Sequence, residues 1–491
     1  MMSSTTDITS FFIIFVLVSL LWIYLKAKTY TIPNSPPQVP YIVPWIGHGI
    51  SFTLRRETLM KSCHAQFGPI YQLLVAGQKI TVVSSPELLA DLVGKSPKQV
   101  HAPEENLLQA TSGLQSRLPY ITMILRRNIY GIISRRLTKS TMGPITVPIN
   151  QRLYTMLNNF GNQHDGATIH LGELIQQSMY QASVSVLFGD SLPDTYTHFH
   201  KLDQWMYYGV SHIPVMHHLV QMMHNKWATA ILPYINKHWE SDDDTGYIDG
   251  ASTFMSECLQ ELKSAGLNAK ETSHVIIGVL WGFHAQSIQV ATNAIAFLIS
   301  NPIYCAQLAT QIRTTIDKNW PDFETFLIAE PEALDSPGFE QVQSVVNETL
   351  RLSSLATVFR IPDIDIELVH KGHRYTIQQG DYIAGDAYSL HHDKTFYPNP
   401  EEFDGDRFLN KPPNNQARGF RTFVPWGGGT FICKGREFGE YQVKMTIIQL
   451  LYLYDVSGSF TTGIACLKPN RSLSISRLQS VPLIHLQKWK Y

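Results

Sequence analysis

Three consecutive glycines, a lone cysteine and an amphipathic run follow one another in Phe423-Val-Pro-Trp426-Gly-Gly-Gly429-Thr-Phe431-Ile-Cys433-Lys-Gly435-Arg-Glu-Phe438-Gly. No other stretch limits the fold so tightly. Glycine reaches backbone angles that other residues avoid, and it lets a large flat ligand approach the main chain. Beyond Gly435 the apolar residues Phe438, Tyr441, Met445, Ile448 and Leu451 recur at helical steps. Cys433 therefore falls just before a helix N-terminus, where the macrodipole and free N–H groups favour a thiolate. A soft anionic sulfur beside a glycine platform suits iron. Two other readings stay open. A buried cysteine can be a small hydrophobe, and a glycine turn before a helix can cradle phosphate. No Gly-Lys-Ser/Thr follows to support the second.

The stretch resembles the haem-binding loop of the cytochrome P-450 superfamily: an aromatic residue, two residues, Gly, three residues, Cys, one residue, Gly. Trp426, Gly429, Cys433 and Gly435 fill these positions. The family usually has Phe at the first position and Arg two before the cysteine, where this chain has Trp426 and Phe431. Trp with a triple glycine is similar to the branch holding sterol hydroxylases, prostacyclin synthase and many fungal secondary-metabolism enzymes. Phe431 removes one expected partner of a haem propionate.

The resemblance implies a mainly α fold with a smaller β region, preceded by one N-terminal transmembrane helix. It implies haem b, with Cys433 as the iron's thiolate ligand, whose electron donation favours O–O cleavage. The uncharged run Ile8–Leu25 has 18 residues and would reach roughly 27 Å as a helix, close to the hydrocarbon thickness of the endoplasmic reticulum. Trp22 and Tyr24 sit at one end, and Lys26 and Lys28 follow. That flank puts the main body in the cytosol. A cleaved signal peptide is the alternative, but neither a basic n-region nor a small-residue cleavage site is present. Pro33, Pro36, Pro37 and Pro40 stiffen the next piece. The expected organisation is an anchor over 1–28, a proline-rich hinge over 29–45 and a haem-thiolate catalytic domain over 46–491. Five scattered cysteines without a CxxC argue against a disulfide framework. A net charge of −1 implies no nucleic-acid partner.

The segments Tyr71–Val75 and Lys79–Val83 alternate like the strands of a hairpin. Glu271 to Ser300 is the longest helical candidate, apolar nearly all round and ended by Asn301-Pro302. Its position is similar to the family's long helix crossing the haem. Where the family has an acid and an alcohol, this chain has Ala285 and Gln286, followed by Ser287. Gln286 and Ser287 are the expected organisers of water there, and the facing of His284 is left open. Glu348 and Arg351 stand three apart in a helical run, a spacing commonplace on exposed helices. The resemblance pairs them with Arg407 as structural support for the cysteine loop. It also places Arg360 beneath a haem propionate, where a charge-assisted pair would form. His391, His392 and Asp393 match a structural turn of the family, and His217-His218 is also read as structural. Asp242–Asp244 reads as a solvated loop.

Arg126, Arg127, Arg135, Arg136 and Lys139 form a basic segment with few acids nearby in sequence. A solvated helix face explains it. By resemblance, the same face receives an acidic electron-transfer partner. The expected function is a membrane-anchored monooxygenase of the endoplasmic reticulum, single-pass and facing the cytosol. It would oxidise an apolar small molecule in secondary-metabolite (terpenoid, steroid-like or polyketide) biosynthesis, with electrons from an NADPH-dependent reductase. The alternative is an isomerase or dehydratase that rearranges a peroxide without a reductase. A non-catalytic haem or lipid carrier is the third reading, and the intact cysteine loop argues against it.

Overall fold

The computed structural model describes residues 16–19 and 33–489, apart from 113, 115–116, 211–213, 240–249, 410–415, 418–419, 459–466 and 469–472. Most of the expected anchor, the first part of the hinge, the Asp242–Asp244 loop and Cys466 lie outside the described residues. Among those described, the only helix long and apolar enough to cross a membrane is internal, Ala269–Ile299, and it is largely buried. The chain divides into two compact units.

The first unit takes in the residues up to Ala102 together with Ala356–Leu390 and Gln416–Phe431. It is built on a five-stranded sheet. β1 (Ile70–Val75) and β2 (Gln78–Val83) form the hairpin that the alternation of apolar residues predicts, with Tyr71 opposite Val82. Gly77, at φ +81°, permits the tight turn between them. Helix α1 (Pro86–Gly94) follows, with Ser85 capping it by accepting from the Leu88 N–H at 3.2 Å and Pro86 in its first turn. β3 (Val100–His101), β4 (Ala356–Pro362) and β5 (Tyr382–Asp386) complete the sheet in the order β1-β2-β5-β4-β3. β2 pairs with β5 in parallel and the other neighbours are antiparallel. Part of the expected hinge belongs to this unit: Val39 donates its N–H to the Gln72 carbonyl, 3.0 Å away.

The second unit holds most of the helices. They include α2 (Tyr196–Gly209), α3 (Ala269–Ile299), α4 (Glu340–Ser353) and α5 (Arg436–Leu453). α3 begins with a capping box: Asn268 accepts from the Glu271 N–H and Glu271 accepts from the Asn268 N–H. Arg117 donates to both carboxylate oxygens of Glu271 at 2.8 Å, fixing this end further. Neither Gly278 nor Gly282 interrupts the helix. α3 is buried almost throughout, consistent with its all-round apolar sequence.

Candidate functional site

The triple glycine has a cause inside the first unit. Gly427 and Gly429 adopt φ +73° and +64°, angles that cost most side chains energy. A Cβ on Gly429 would lie 2.1 Å from the Val93 carbonyl oxygen, and one on Gly428 would lie 2.9 Å from a Val93 methyl. The sequence reading assigns these glycines to a flat ligand. In the structure the close neighbour of both is the last turn of α1. The loop is fixed from β4 as well. Buried Arg360 donates to the Gly428 carbonyl at 2.9 Å, and its guanidinium lies 4.5 Å from the centre of the Phe431 ring. Phe431 thus occupies the usual arginine position with an aromatic face that attracts the neighbouring cation. The Trp426 Nε1 is buried and donates to nothing among the described residues.

In the second unit, Gly435 is the N-cap of α5 and Cys433 stands two residues before it. The Cys433 side chain is accessible, whereas Cys63, Cys258 and Cys305 are buried. Surrounding protein pushes the Cys433 thiol above its ordinary value. The Gly435 N–H, Arg436 and Lys434 oppose this, so the thiolate-favouring effects expected at the helix start are present but outweighed. A Cβ on Gly435 would meet nothing within 4 Å.

From Thr272 to Ile299, α3 is buried except at Gly278, Val279, Gly282, Phe283 and Gln286. These positions fall on one face at steps of three and four. A Cβ on Gly282 would meet nothing within 4 Å, and one on Gly278 only Leu108 at 3.8 Å. The face is an open shelf on an otherwise enclosed helix. Phe283 touches Phe438 of α5, ring centres 5.4 Å apart. Gln286 is half-buried and makes no hydrogen bond among the described residues. Ser287 turns its hydroxyl back onto the Phe283 carbonyl at 3.0 Å. His284 faces away from the shelf, packing against Tyr180 at 5.0 Å and donating its Nδ1–H to the Leu280 carbonyl, 2.7 Å away.

Glu348 and Arg351 are fully buried, unlike an ordinary helix-surface pair. Arg351 donates to the two Glu348 oxygens at 2.7 and 2.9 Å, and to the carbonyls of His391 and Pro400 at 2.8 Å. Arg407 donates through Nε to both Glu348 oxygens at 3.0 Å. These three residues tie α4 to the 391–407 segment. His391 is buried and stays neutral because burial pushes its pKa far down, in keeping with a structural turn.

The basic segment is partly neutralised by acids remote in sequence. Glu104 pairs with Arg126, Glu257 with Arg136 and Asp335 with Lys139. Arg127 and Arg135 are exposed and pair with no acid among the described residues. Sequence reasoning missed Asp203 and Arg477, 274 positions apart, whose charges meet beside α3. Neither sits in a motif, so their spacing carries no signal.

The Cytochrome P450 family model matches residues 37–466. Human 24-hydroxycholesterol 7-alpha-hydroxylase is 22% identical, over 86% of this chain and 88% of that protein. Rat prostacyclin synthase is 21% identical, over 86% of this chain and 87% of that protein. Among solved structures, retinoic acid bound cyanobacterial CYP120A1 superposes with a TM-score of 0.71 at 18% identity, covering 93% of this chain and all of that one. The chain belongs to the cytochrome P450 family of haem-thiolate oxidoreductases.

Proposed function

We infer that this protein is a monooxygenase in which Cys433 supplies the thiolate to haem iron. The observation that carries this reading is the accessible Cys433 thiol before α5, in the same unit as the open glycine shelf of α3. The donor set fits a haem group. The thiol is a soft ligand, and Gly435 leaves space for a flat neighbour. Bound haem iron would supply the activation of dioxygen. Arg360 would place positive charge beside a propionate, in the role the family usually shares with an arginine at the Phe431 position. Glu348, Arg351 and Arg407 would hold the segment leading to the cysteine loop. Gln286 would position water on the shelf; an amide donates and accepts hydrogen bonds but does not titrate near neutrality. Ser287 contributes less to this task, because its hydroxyl is engaged with the helix backbone.

The substrate is an apolar small molecule in terpenoid, steroid-like or polyketide secondary metabolism. Sterol hydroxylases among the relatives support the class. Electrons come from an NADPH-dependent reductase. Ile8–Leu25 anchors the protein as a single pass in the endoplasmic reticulum, with the catalytic domain in the cytosol. The test is the reduced carbon-monoxide spectrum. A strongly red-shifted Soret band is expected, lost together with activity in Cys433→His. An unchanged band in that variant would overturn the assignment.

A second reading, an isomerase that rearranges a peroxide without a reductase, draws on Ala285 and Gln286 replacing the acid and alcohol and on the likeness to prostacyclin synthase. Oxygen consumption that requires NADPH and the reductase favours the monooxygenase. Its absence, with turnover of an added hydroperoxide, favours the isomerase.

A further inference from the structure

Gln286 borders two features. On one side is the accessible shelf of α3. On the other is a recess lined by Asp203, Trp281, Ala285, Gln289, Ile475 and Arg477, among others. The recess has room for about one water-sized group. Its wall is a braced charge pair. Arg477 donates through Nη2 to an Asp203 carboxylate oxygen at 2.5 Å and to the Asp203 main-chain carbonyl at 2.9 Å. Trp281 donates its indole N–H to the other carboxylate oxygen at 2.9 Å. The Asp203 and Arg477 side chains are only 12% and 26% exposed, so the pair is largely shielded from solvent. Arg477 still has unspent donors: among the described residues only its Nη2 is engaged, on Asp203.

The strand that carries Arg477 is fixed independently. Gln289 donates to the Asn293 side-chain oxygen at 2.8 Å, and Asn293 donates to the Ser353 hydroxyl at 3.1 Å and the Ser476 carbonyl at 2.8 Å. Asn293 and Ser353 are fully buried, so the wall is rigid. A preorganised polar recess opening beside an apolar shelf recognises one oxygen atom on an otherwise apolar molecule. The charge balance selects the kind of oxygen. Arg477 is already matched by Asp203, so a carboxylate would bring a second negative charge beside Asp203 and an ammonium a second positive charge beside Arg477. A hydroxyl or ketone avoids both costs, and it matches the space available.

We propose that the Asp203–Arg477 recess binds a single neutral oxygen function, hydroxyl or keto, of the substrate and thereby fixes how the substrate lies on the shelf. The proposal rests on the monooxygenase reading for its setting and refines the substrate class to oxygenated, uncharged terpenoid- or steroid-like molecules. Rejection of the deoxy analogue follows from the polar groups it would leave unpaired.

Binding to the purified full-length, haem-loaded protein is measured by equilibrium dialysis, which needs no turnover. The probes are farnesol, farnesene and farnesoic acid, together with the steroid pair androstanol and androstane. In at least one series the alcohol should bind roughly tenfold more tightly than the hydrocarbon, the size of one hydrogen bond to a charged group. Farnesoic acid should gain nothing over farnesene. Two variants separate recognition from folding. Asp203→Asn with Arg477→Gln removes both charges while keeping shape, and Ala285→Val fills the recess without touching the pair. Each should abolish the alcohol preference while leaving hydrocarbon binding unchanged; the carbon-monoxide band confirms the fold. Equal binding of alcohol and hydrocarbon in the wild type, no binding of either included, overturns the proposal. So does a preference that survives in both variants, or tightest binding of the acid. Failure of the monooxygenase reading appears separately, as a missing red-shifted band or NADPH-independent chemistry.

Discussion

Arg407 Nε lies 3.0 Å from both carboxylate oxygens of Glu348, which is already engaged by Arg351. One fully buried carboxylate therefore accepts from two guanidinium groups. Such a cluster adds little over well-packed apolar residues, but removing one member leaves charge unpaired in the interior. Glu348→Gln is expected to destabilise the protein by roughly 3–5 kcal/mol, read from the urea unfolding midpoint, and to lower haem retention. Arg351→Lys should also fail, because an ammonium cannot reproduce the forked contacts. Wild-type midpoints in both variants would show the cluster to be dispensable.

The glycines of the cysteine loop separate two causes. Gly429→Ala meets the Val93 carbonyl and a positive φ, so it should lower the melting temperature by several degrees. Gly435→Ala meets only open space and should leave the melting of the haem-free protein unchanged while reducing haem uptake. If the two variants behave alike in both measurements, the division between protein contact and cofactor space is wrong.

Two buried histidines set a limit on acid stability. Burial pushes the pKa of His284 down to about 4; burial, and then His274, push that of His224 down to about 3. Both are neutral in the folded state. Above the ordinary value of 6.5 their contribution is fully present. As pH falls below it, the unfolded chain takes up protons first and stability is lost, by about 1.4 kcal/mol per pH unit for each group, until the folded pKa is reached. Urea midpoints should fall between pH 6.5 and 4 and fall less steeply in His284→Phe. An unchanged slope would mean that His284 is accessible to protons in the native state.

Elements of the chain were legible to different degrees, for physical reasons. The long helix was readable from its apolar run and from Asn301-Pro302, which stops it; the structure starts it two residues earlier than Glu271, at Ala269 behind the Asn268 cap, and ends it at Ile299. The β1–β2 hairpin was readable from alternation around Gly77. The burial of Glu348 and Arg351 was not, because an i, i+3 pair looks the same on a surface and in a core. The partner of Gly429 is Val93, far away in the chain, so the glycines pointed to a close approach without saying to what. The acids that neutralise Arg126 and Arg136 are likewise remote in sequence.

Those pairings sharpen the expectation for electron delivery. Arg127 and Arg135 retain unspent charge, whereas Arg126 and Arg136 already serve Glu104 and Glu257. Reversing Arg127 and Arg135 together should slow reduction by the reductase several-fold at low salt, and the difference should shrink as salt screens exposed charges. Stopped-flow reduction across ionic strengths reads this directly. Wild-type rates at every salt concentration would return both residues to an ordinary solvated face.

The shelf of α3 carries the last prediction. An oxygenating enzyme must deliver protons during oxygen activation, and a positioned donor speeds such transfers. The acid and alcohol that usually serve are absent, and His284 is turned into an aromatic cluster where burial keeps it neutral. Ser287 spends its hydroxyl on Phe283. Gln286 is left as the one polar side chain on the accessible face, with its amide unspent among the described residues. An amide does not titrate near neutrality, so in the proposed role it would hold water that exchanges with solvent. Gln286→Ala should keep haem content and the carbon-monoxide band, lower product yield and raise peroxide release per NADPH consumed. Gln286→Thr should recover part of the coupling, because a hydroxyl can also order water. Ser287→Ala should change coupling little. A fully coupled Gln286→Ala enzyme would show that proton delivery does not run through this residue, and a loss confined to substrate affinity would place Gln286 with the Asp203–Arg477 recess instead.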